Sequence, residues 1–141
     1  MLFRSVLFDL ALDYAKAGRA AVAAADQCAP AALTAAIGLF QALNRPVSVL
    51  DDVPGLVVMR LLSMLANEAA EAVYRGVATA AGVDTAMMRG VNYPIGPLTW
   101  AGQIGLSRIV TVLDNLAATY GEDRYRASAL LRRKAEGGAG F

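Results

Sequence analysis

The sequence predicts a mainly α-helical fold preceded by a short strand-helix-strand segment. Three observations carry this. After Leu50, apolar residues recur at helical spacing almost to the C-terminus; before it they fall in short runs around one helical stretch; and Pro and Gly residues stand between the segments. A chain of 141 residues is long enough for a real core, since a domain of about 150 residues buries roughly 68–70% of its unfolded surface.

Residues 1–50 contain the apolar runs Val6-Leu7-Phe8, Ala20-Ala21-Val22-Ala23-Ala24 and Pro46-Val47-Ser48-Val49-Leu50. Between the last two, Pro30 to Leu43 places Leu33, Ile37 and Phe40 at i, i+4 and i+7, with Pro30 suited to a first helical turn. This part reads as strand, helix, strand.

Residues 51–136 read as helices. Asp52 is suited to an N-cap and Pro54 to an early helical position, after which a long helix reaches Tyr74 or Arg75 and stops at Gly76. At 100° per residue, Arg60, Ser63, Asn67, Glu68, Glu71 and Arg75 form one polar arc, while Leu56, Val57, Leu61, Leu62, Leu65, Ala69 and Ala72 cover most of the rest. A helix apolar over more than half its circumference must be covered from two sides, so it is central or lies at a subunit seam.

Thr79 can cap a second helix ending at Gly90, and the turn Asn92-Tyr93-Pro94-Ile95-Gly96 leads into a third beginning near Pro97. Ser107 opens an amphipathic helix carrying Ile109, Val112, Leu113, Leu116 and Tyr120, which Gly121 ends. A last helix covers Ser128 to Ala135, and the glycine-rich residues 137–141 read as a flexible tail.

Composition excludes several classes of function. Hydrophobic residues make up 57% and mean hydropathy is +0.45, which raises the question of a membrane span. The candidate stretch, Gly90 to Ser107, contains Pro94, Pro97 and four glycines, so no span and no membrane partner are expected. With 13 basic and 12 acidic residues and basic clustering only at Arg124, Arg126 and Arg132-Arg133-Lys134, no nucleic-acid partner is expected. One cysteine, Cys28, cannot form an internal disulfide, and no Cys/His cluster exists for a metal. These facts fit a reducing, cytoplasmic compartment. Met1-Leu2-Phe3-Arg4-Ser5-Val6-Leu7-Phe8 lacks the apolar run and cleavage site of a signal peptide, and the chain reads as the later part of something longer.

No G-x-G-x-x-G follows a strand and no G-x-x-x-x-G-K-[ST] exists, so no dinucleotide or phosphate cofactor is expected on this chain. Without histidine there is no His general base. Glu68 and Glu71 read as surface carboxylates, with Glu71 and Arg75 an i, i+4 pair. Arg60 lies in an otherwise apolar segment, where an unpaired guanidinium is costly to bury; a salt bridge to Glu68 or to a neighbouring element is expected, ahead of a ligand contact. Asn67 either hydrogen-bonds across a helix seam, the leading reading, or faces an acyl substrate. Pro94, Gly96 and Pro97 read as a structural corner, with Gly96 supplying permissive torsions or a cap and Pro97 the helix entry.

The order and spacing of Asp52-Val53-Pro54-Gly55, Arg60, Asn67-Glu68-Ala69, Gly76-Val77-Ala78, Val83-Asp84-Thr85-Ala86-Met87, Tyr93-Pro94-Ile95-Gly96-Pro97-Leu98, Gly105-Leu106 and Ser128 with Leu130-Leu131 closely resemble the C-terminal helical domain of the NAD-dependent 3-hydroxyacyl-CoA dehydrogenases. Upstream, Ala42-Leu43-Asn44-Arg45-Pro46-Val47 is similar to the end of that family's nucleotide-binding domain. The resemblance implies a helical domain of the 6-phosphogluconate-dehydrogenase C-terminal type over residues 51–136, preceded in residues 1–50 by a remnant of a Rossmann domain.

It further implies a two-part enzyme in which an N-terminal Rossmann domain binds NAD and supplies the catalytic Ser, His and Glu. The helical domain contributes one Asn, part of the acyl-CoA cleft and usually the dimer interface. That Asn position falls on Met59, whose thioether cannot donate a hydrogen bond. The pattern resembles the second, degenerate copy of the helical domain in bacterial enzymes of the phenylacetate route acting on 3-hydroxyadipyl-CoA. The expected role is therefore to pack against the catalytic N-terminal part and to form a homodimer, with no catalysis and no NAD site on this chain. The other reading is a stand-alone, non-catalytic helical module that binds acyl-CoA or another apolar ligand.

Overall fold

The computed structural model describes residues 5–141; Met1 to Arg4, part of the segment read above for a signal peptide, lie outside the described residues. The chain divides into two compact units, Met1–Val58 and Met59–Phe141.

In the first unit the short apolar runs do form strands. β1 (Val6–Phe8) pairs antiparallel with β2 (Ala20–Ala24), Val6 opposite Ala24 and Phe8 opposite Val22. β2 pairs parallel with β3 (Val47–Leu50), Ala20 opposite Val47 and Ala23 opposite Leu50, giving the order β1-β2-β3. Parallel pairing requires a crossover, and α1 (Pro30–Ala42) provides it, packing on all three strands with Pro30 in its first turn. Central β2 is flanked on both edges and carries the fully buried Val22 and Ala23. On α1, Leu33, Ile37 and Phe40 are only half-buried, and Leu39 and Leu43 are exposed. This unit is a thin layer with little interior of its own.

The long helix starts later than the sequence suggests, and its first amides bond to a different carboxylate. α2 runs Val58–Tyr74. Pro54 and Gly55 are the central residues of a turn closed by the Leu56 N–H donating to the Val53 carbonyl at 2.9 Å. Gly55 has φ 74°, the positive value that a turn of type II demands, and Leu56 follows at φ 46°. Pro54 is therefore a turn residue rather than a helical one, and Asp52 is exposed. The N–H groups of Val57 and Val58, the end of the first unit, donate instead to Asp9 Oδ2 at 2.9 and 2.7 Å. The cap comes from a residue far upstream, which local patterns do not reveal.

The second unit is helical throughout: α2, α3 (Ala80–Gly90), α4 (Pro97–Ile104), α5 (Leu106–Tyr120), a 3₁₀ turn at Asp123–Tyr125 and α6 (Ala129–Glu136). Thr79 caps α3, accepting from the Gly82 N–H at 3.1 Å, and α5 ends at Gly121 in the left-handed region (φ 66°). Ile109, Leu113 and Leu116 of α5 are wholly buried with Tyr125 and Leu131. Among the described residues no helix is long and apolar enough to cross a membrane.

The faces of α2 differ from the predicted split. Its buried residues are Leu62, Ser63, Ala66, Asn67, Ala69 and Ala70, so two members of the predicted polar arc point inward, while Leu61 is 54% exposed. Ser63 and Asn67 are compact enough to enter a seam lined by alanines.

The α3–α4 corner has a different cause from the one the torsions suggested. Gly96 has φ −70° and ψ 151°, which any residue can adopt. What excludes a side chain is the Asp84 carboxylate, onto which a Cβ at position 96 would fall. Asp84 Oδ1 accepts the Leu98 N–H at 2.8 Å, and Oδ2 accepts the Thr99 N–H at 3.0 Å and the Thr99 hydroxyl at 2.7 Å. An anion at a helix N-terminus satisfies orphan amides and complements the dipole. Tyr93 and Trp100 pack across the corner with ring centroids 5.8 Å apart.

Between α5 and α6, Arg132 makes a bidentate pair with Asp114, at 2.6 and 3.0 Å. The hydrogen bonds from Arg132 hold the Asp114 carboxyl below its ordinary range.

Two outcomes follow. Gly96→Ala pushes against the Asp84 cap and should cost about 1–3 kcal/mol in urea unfolding, whereas Gly102→Ala, in open space on the same helix, should not destabilise. Asp114→Asn should lose about 0.5 kcal/mol at neutral pH, the scale of an exposed pair. Because the folded carboxyl titrates lower than the unfolded one, that difference is fully present above the ordinary value of 3.8 and disappears as the pH falls through the depressed folded value. Unfolding of both proteins across that pH range checks it.

Candidate functional site

Within the second unit the polar residues of α2 converge on the segment from Tyr120 to Ser128. Asn67 is 5% exposed; its Nδ2 donates to the Arg126 carbonyl at 3.0 Å, and its Oδ1 accepts from the Ser128 N–H at 2.7 Å. Both ends of the amide are thus used on backbone, and the seam reading holds. Arg60, two turns earlier, donates through Nη2 to the Tyr125 hydroxyl. Its Cζ lies 5.1 Å from the Tyr120 ring centroid and 5.3 Å from that of Tyr125. Arg60 does have the partner its position demands, but the partner is an aromatic pair rather than Glu68, which is exposed. Aromatic faces suit a guanidinium because it is planar and weakly hydrated.

The predicted Glu71–Arg75 pair forms, with Arg75 Nε donating to Glu71 Oε1 at 2.8 Å. Hydrogen bonding from Arg75 lowers the Glu71 carboxyl from its usual range. These residues line a shallow cavity of about 150 Å³ with Glu68, Asp123, Arg124 and Arg126. It is lined by three carboxylates and three arginines, and it has the size of a surface cleft rather than a ligand pocket.

Met59 stands half-buried in the first turn of α2. Asp52 lies in the first unit, beside Asp26 at a second cavity; Pro94 is exposed on the corner, and Gly96 and Pro97 are buried at the start of α4. Sequence reasoning missed Asp84, Asp9 and Tyr125. The only local signal for Asp84 was a carboxylate 14 positions before Leu98, a distance that periodicity does not interpret.

Residues 55–140 match the family described as 3-hydroxyacyl-CoA dehydrogenase, C-terminal domain. The chain belongs to the 3-hydroxyacyl-CoA dehydrogenase family. Residues 4–54 match the 3-hydroxybutyryl-CoA dehydrogenase reduced Rossmann-fold domain. The chain is 44% identical over 114 residues to the 3-hydroxyadipyl-CoA dehydrogenase of Escherichia coli K12, covering 81% of this chain and 24% of that protein. The solved 3-hydroxybutyryl-CoA dehydrogenase from Escherichia coli K12 superposes with a TM-score of 0.84 at 40% identity, over 93% of this chain and 27% of that one. The (S)-3-hydroxybutyryl-CoA dehydrogenase from Ralstonia eutropha gives 0.80 at 28% identity, over 87% and 44%. The chain thus spans about a quarter of the curated relative it matches.

Members of the 3-hydroxyacyl-CoA dehydrogenase family are NAD-dependent, so the reduced Rossmann unit is the place to test for a dinucleotide. It does not fit one. The loop from β2 to α1, Ala25-Asp26-Gln27-Cys28-Ala29, contains no glycine for close backbone approach, and α1 has no side-chain cap. The neighbouring cavity of about 340 Å³ presents Asp26 and Asp52, which repel a pyrophosphate.

Replacing Asn67 by Ala leaves the Arg126 carbonyl and the buried Ser128 N–H without this partner, and should cost about 2 kcal/mol. Denaturant unfolding reads this, and a full-strength Asn67→Ala would show that the seam does not depend on the amide.

Proposed function

We propose that this chain is the non-catalytic assembly end of a 3-hydroxyacyl-CoA dehydrogenase. The observation that carries the reading is Met59, a thioether at the position where the family's helical domain provides its Asn. A thioether neither donates to a substrate oxygen nor orients a catalytic group. The misfit of the first unit to a dinucleotide supports the same conclusion. In the parent enzyme, a 3-hydroxyacyl-CoA is oxidised to the 3-oxoacyl-CoA with NAD as acceptor, at groups outside this chain. A relative named for 3-hydroxyadipyl-CoA supports that acyl class and a place in phenylacetate breakdown. The single Cys28 supports a reducing cytoplasmic compartment.

The chain's own task is to pack against the catalytic part and to dimerise. Apolar side chains left outside in the helical unit support this: Leu61, Tyr74, Val77 and Val91 are each more than half exposed. Large apolar surface on a soluble domain favours association.

Incubated with NAD and 3-hydroxybutyryl-CoA, the isolated chain should produce no NADH absorbance at 340 nm, and Met59→Asn should not create any. Sedimentation should show a dimer at micromolar concentration, converted to monomer by Leu61→Glu. Turnover by the chain alone, or a monomer at every concentration, overturns the corresponding half of the proposal.

A further inference from the structure

A cavity of about 410 Å³ opens inside the first unit, and every residue lining it belongs to that unit. It is built at the end of β2 where Ala20 and Ala21 leave space for want of larger side chains. Phe8, Tyr14 and Phe40 form its aromatic wall, with Phe8 edge-on to Tyr14 (centroids 5.9 Å apart) and to Phe40 (6.4 Å), and Leu43 extends it. The volume is that of a small-molecule site rather than a packing defect.

Two arginines, Arg19 and Arg45, are among the residues that line this apolar space. Arg19 donates through Nη1 to the Ser48 hydroxyl at 3.1 Å, and Arg45 through Nη2 to the Ala15 carbonyl at 2.5 Å. Each contact uses one of five N–H donors. Neither arginine is in an ion pair among the described residues, whose pairs are Lys16–Asp13, Arg75–Glu71, Arg124–Glu122 and Arg132–Asp114. The one carboxylate lining the cavity, Asp9, accepts the Leu10, Val57 and Val58 N–H groups. Two arginines against one carboxylate give the cavity lining a net positive charge.

We propose that this cavity binds an apolar monocarboxylate, its alkyl chain against Phe8, Tyr14, Phe40 and Leu43 and its carboxylate on Arg19 and Arg45. An uncharged alkane would fill the walls and leave the guanidinium donors unused; a bare phosphate would use the donors and leave the walls wet. A free fatty acid satisfies both. This is independent of the assembly role, because it concerns the first unit and requires neither a dimer nor turnover.

The test is calorimetric titration of the whole chain with octanoate, with 1-octanol as the uncharged analogue and octanoyl-CoA as the thioester source of the same acyl chain. Octanoate should bind saturably at one site, about tenfold more tightly than octanol, as charge-assisted hydrogen bonds imply. Arg19→Gln and Arg45→Gln should each bring octanoate towards the octanol affinity and leave octanol unchanged. Arg19 is exposed, so its substitution tests the proposal even where Arg45→Gln loosens the loop that Arg45 holds. Ala17→Trp, which fills the cavity from its rim, should abolish both. Equal affinities for octanoate and octanol, no saturable octanoate binding, or octanoyl-CoA binding more tightly than octanoate with no response to Arg19→Gln would each overturn it.

Discussion

A buried carboxamide on the longest helix sets the arrangement of the second unit. Asn67 lies where an apolar side chain would be expected, and once its amide is removed from water both its donor and its acceptor need partners. They find them on the backbone at Arg126 and Ser128. This holds the chain after the 3₁₀ turn in a single register against α2. With that register set, Tyr125 comes under the Arg60 guanidinium and α6 starts where Leu130 and Leu131 enter the core. An alanine or leucine at position 67 fills a seam but does not specify one. The polar residue therefore serves uniqueness of packing, because both ends of its amide are satisfied.

The same economy of polar groups governs how helices begin. The start of α4 has no side-chain cap of its own, since its N-cap residue is Gly96. Its amides bond to Asp84 on α3, and that close approach is what requires a glycine. Within the first unit the carboxylate of Asp9 serves Val57 and Val58. In both places a carboxylate distant in sequence ties two elements together while it satisfies orphan amides. A local Ser or Thr cap, such as Thr79 on α3, stabilises only the helix it belongs to.

The two units stand differently towards function. The helical one has a real interior, with Ile109, Leu113, Leu116 and Leu131 wholly buried. The first unit has no glycine in the loop between β2 and α1 and presents Asp26 and Asp52 at the cavity beside it. Its three strands and one helix leave a cavity where larger side chains would close a sheet layer. Arg19 and Arg45 line that cavity, and neither is in an ion pair among the described residues.

The family and most of the fold were legible in the residues themselves. Turn glycines and prolines marked the limits of α3, α4 and α5, because Gly121 in the left-handed region and Pro97 in a first turn express local backbone preferences. Helical periodicity found the buried Ile109, Leu113 and Leu116 for the same local reason. That Arg60 needed a partner was also evident, since a charge among apolar neighbours must be met. Only the tertiary structure decided that the partner is Tyr125 with Tyr120, that Ser63 and Asn67 face inward, that Asp9 rather than Asp52 meets the amides where α2 begins, and that Gly96 answers to Asp84. Each of these joins residues far apart in the chain. Backbone propensity is set by the nearest few residues, whereas desolvated polar groups are satisfied by whatever the fold brings within about 3 Å, and no spacing in the sequence records that distance.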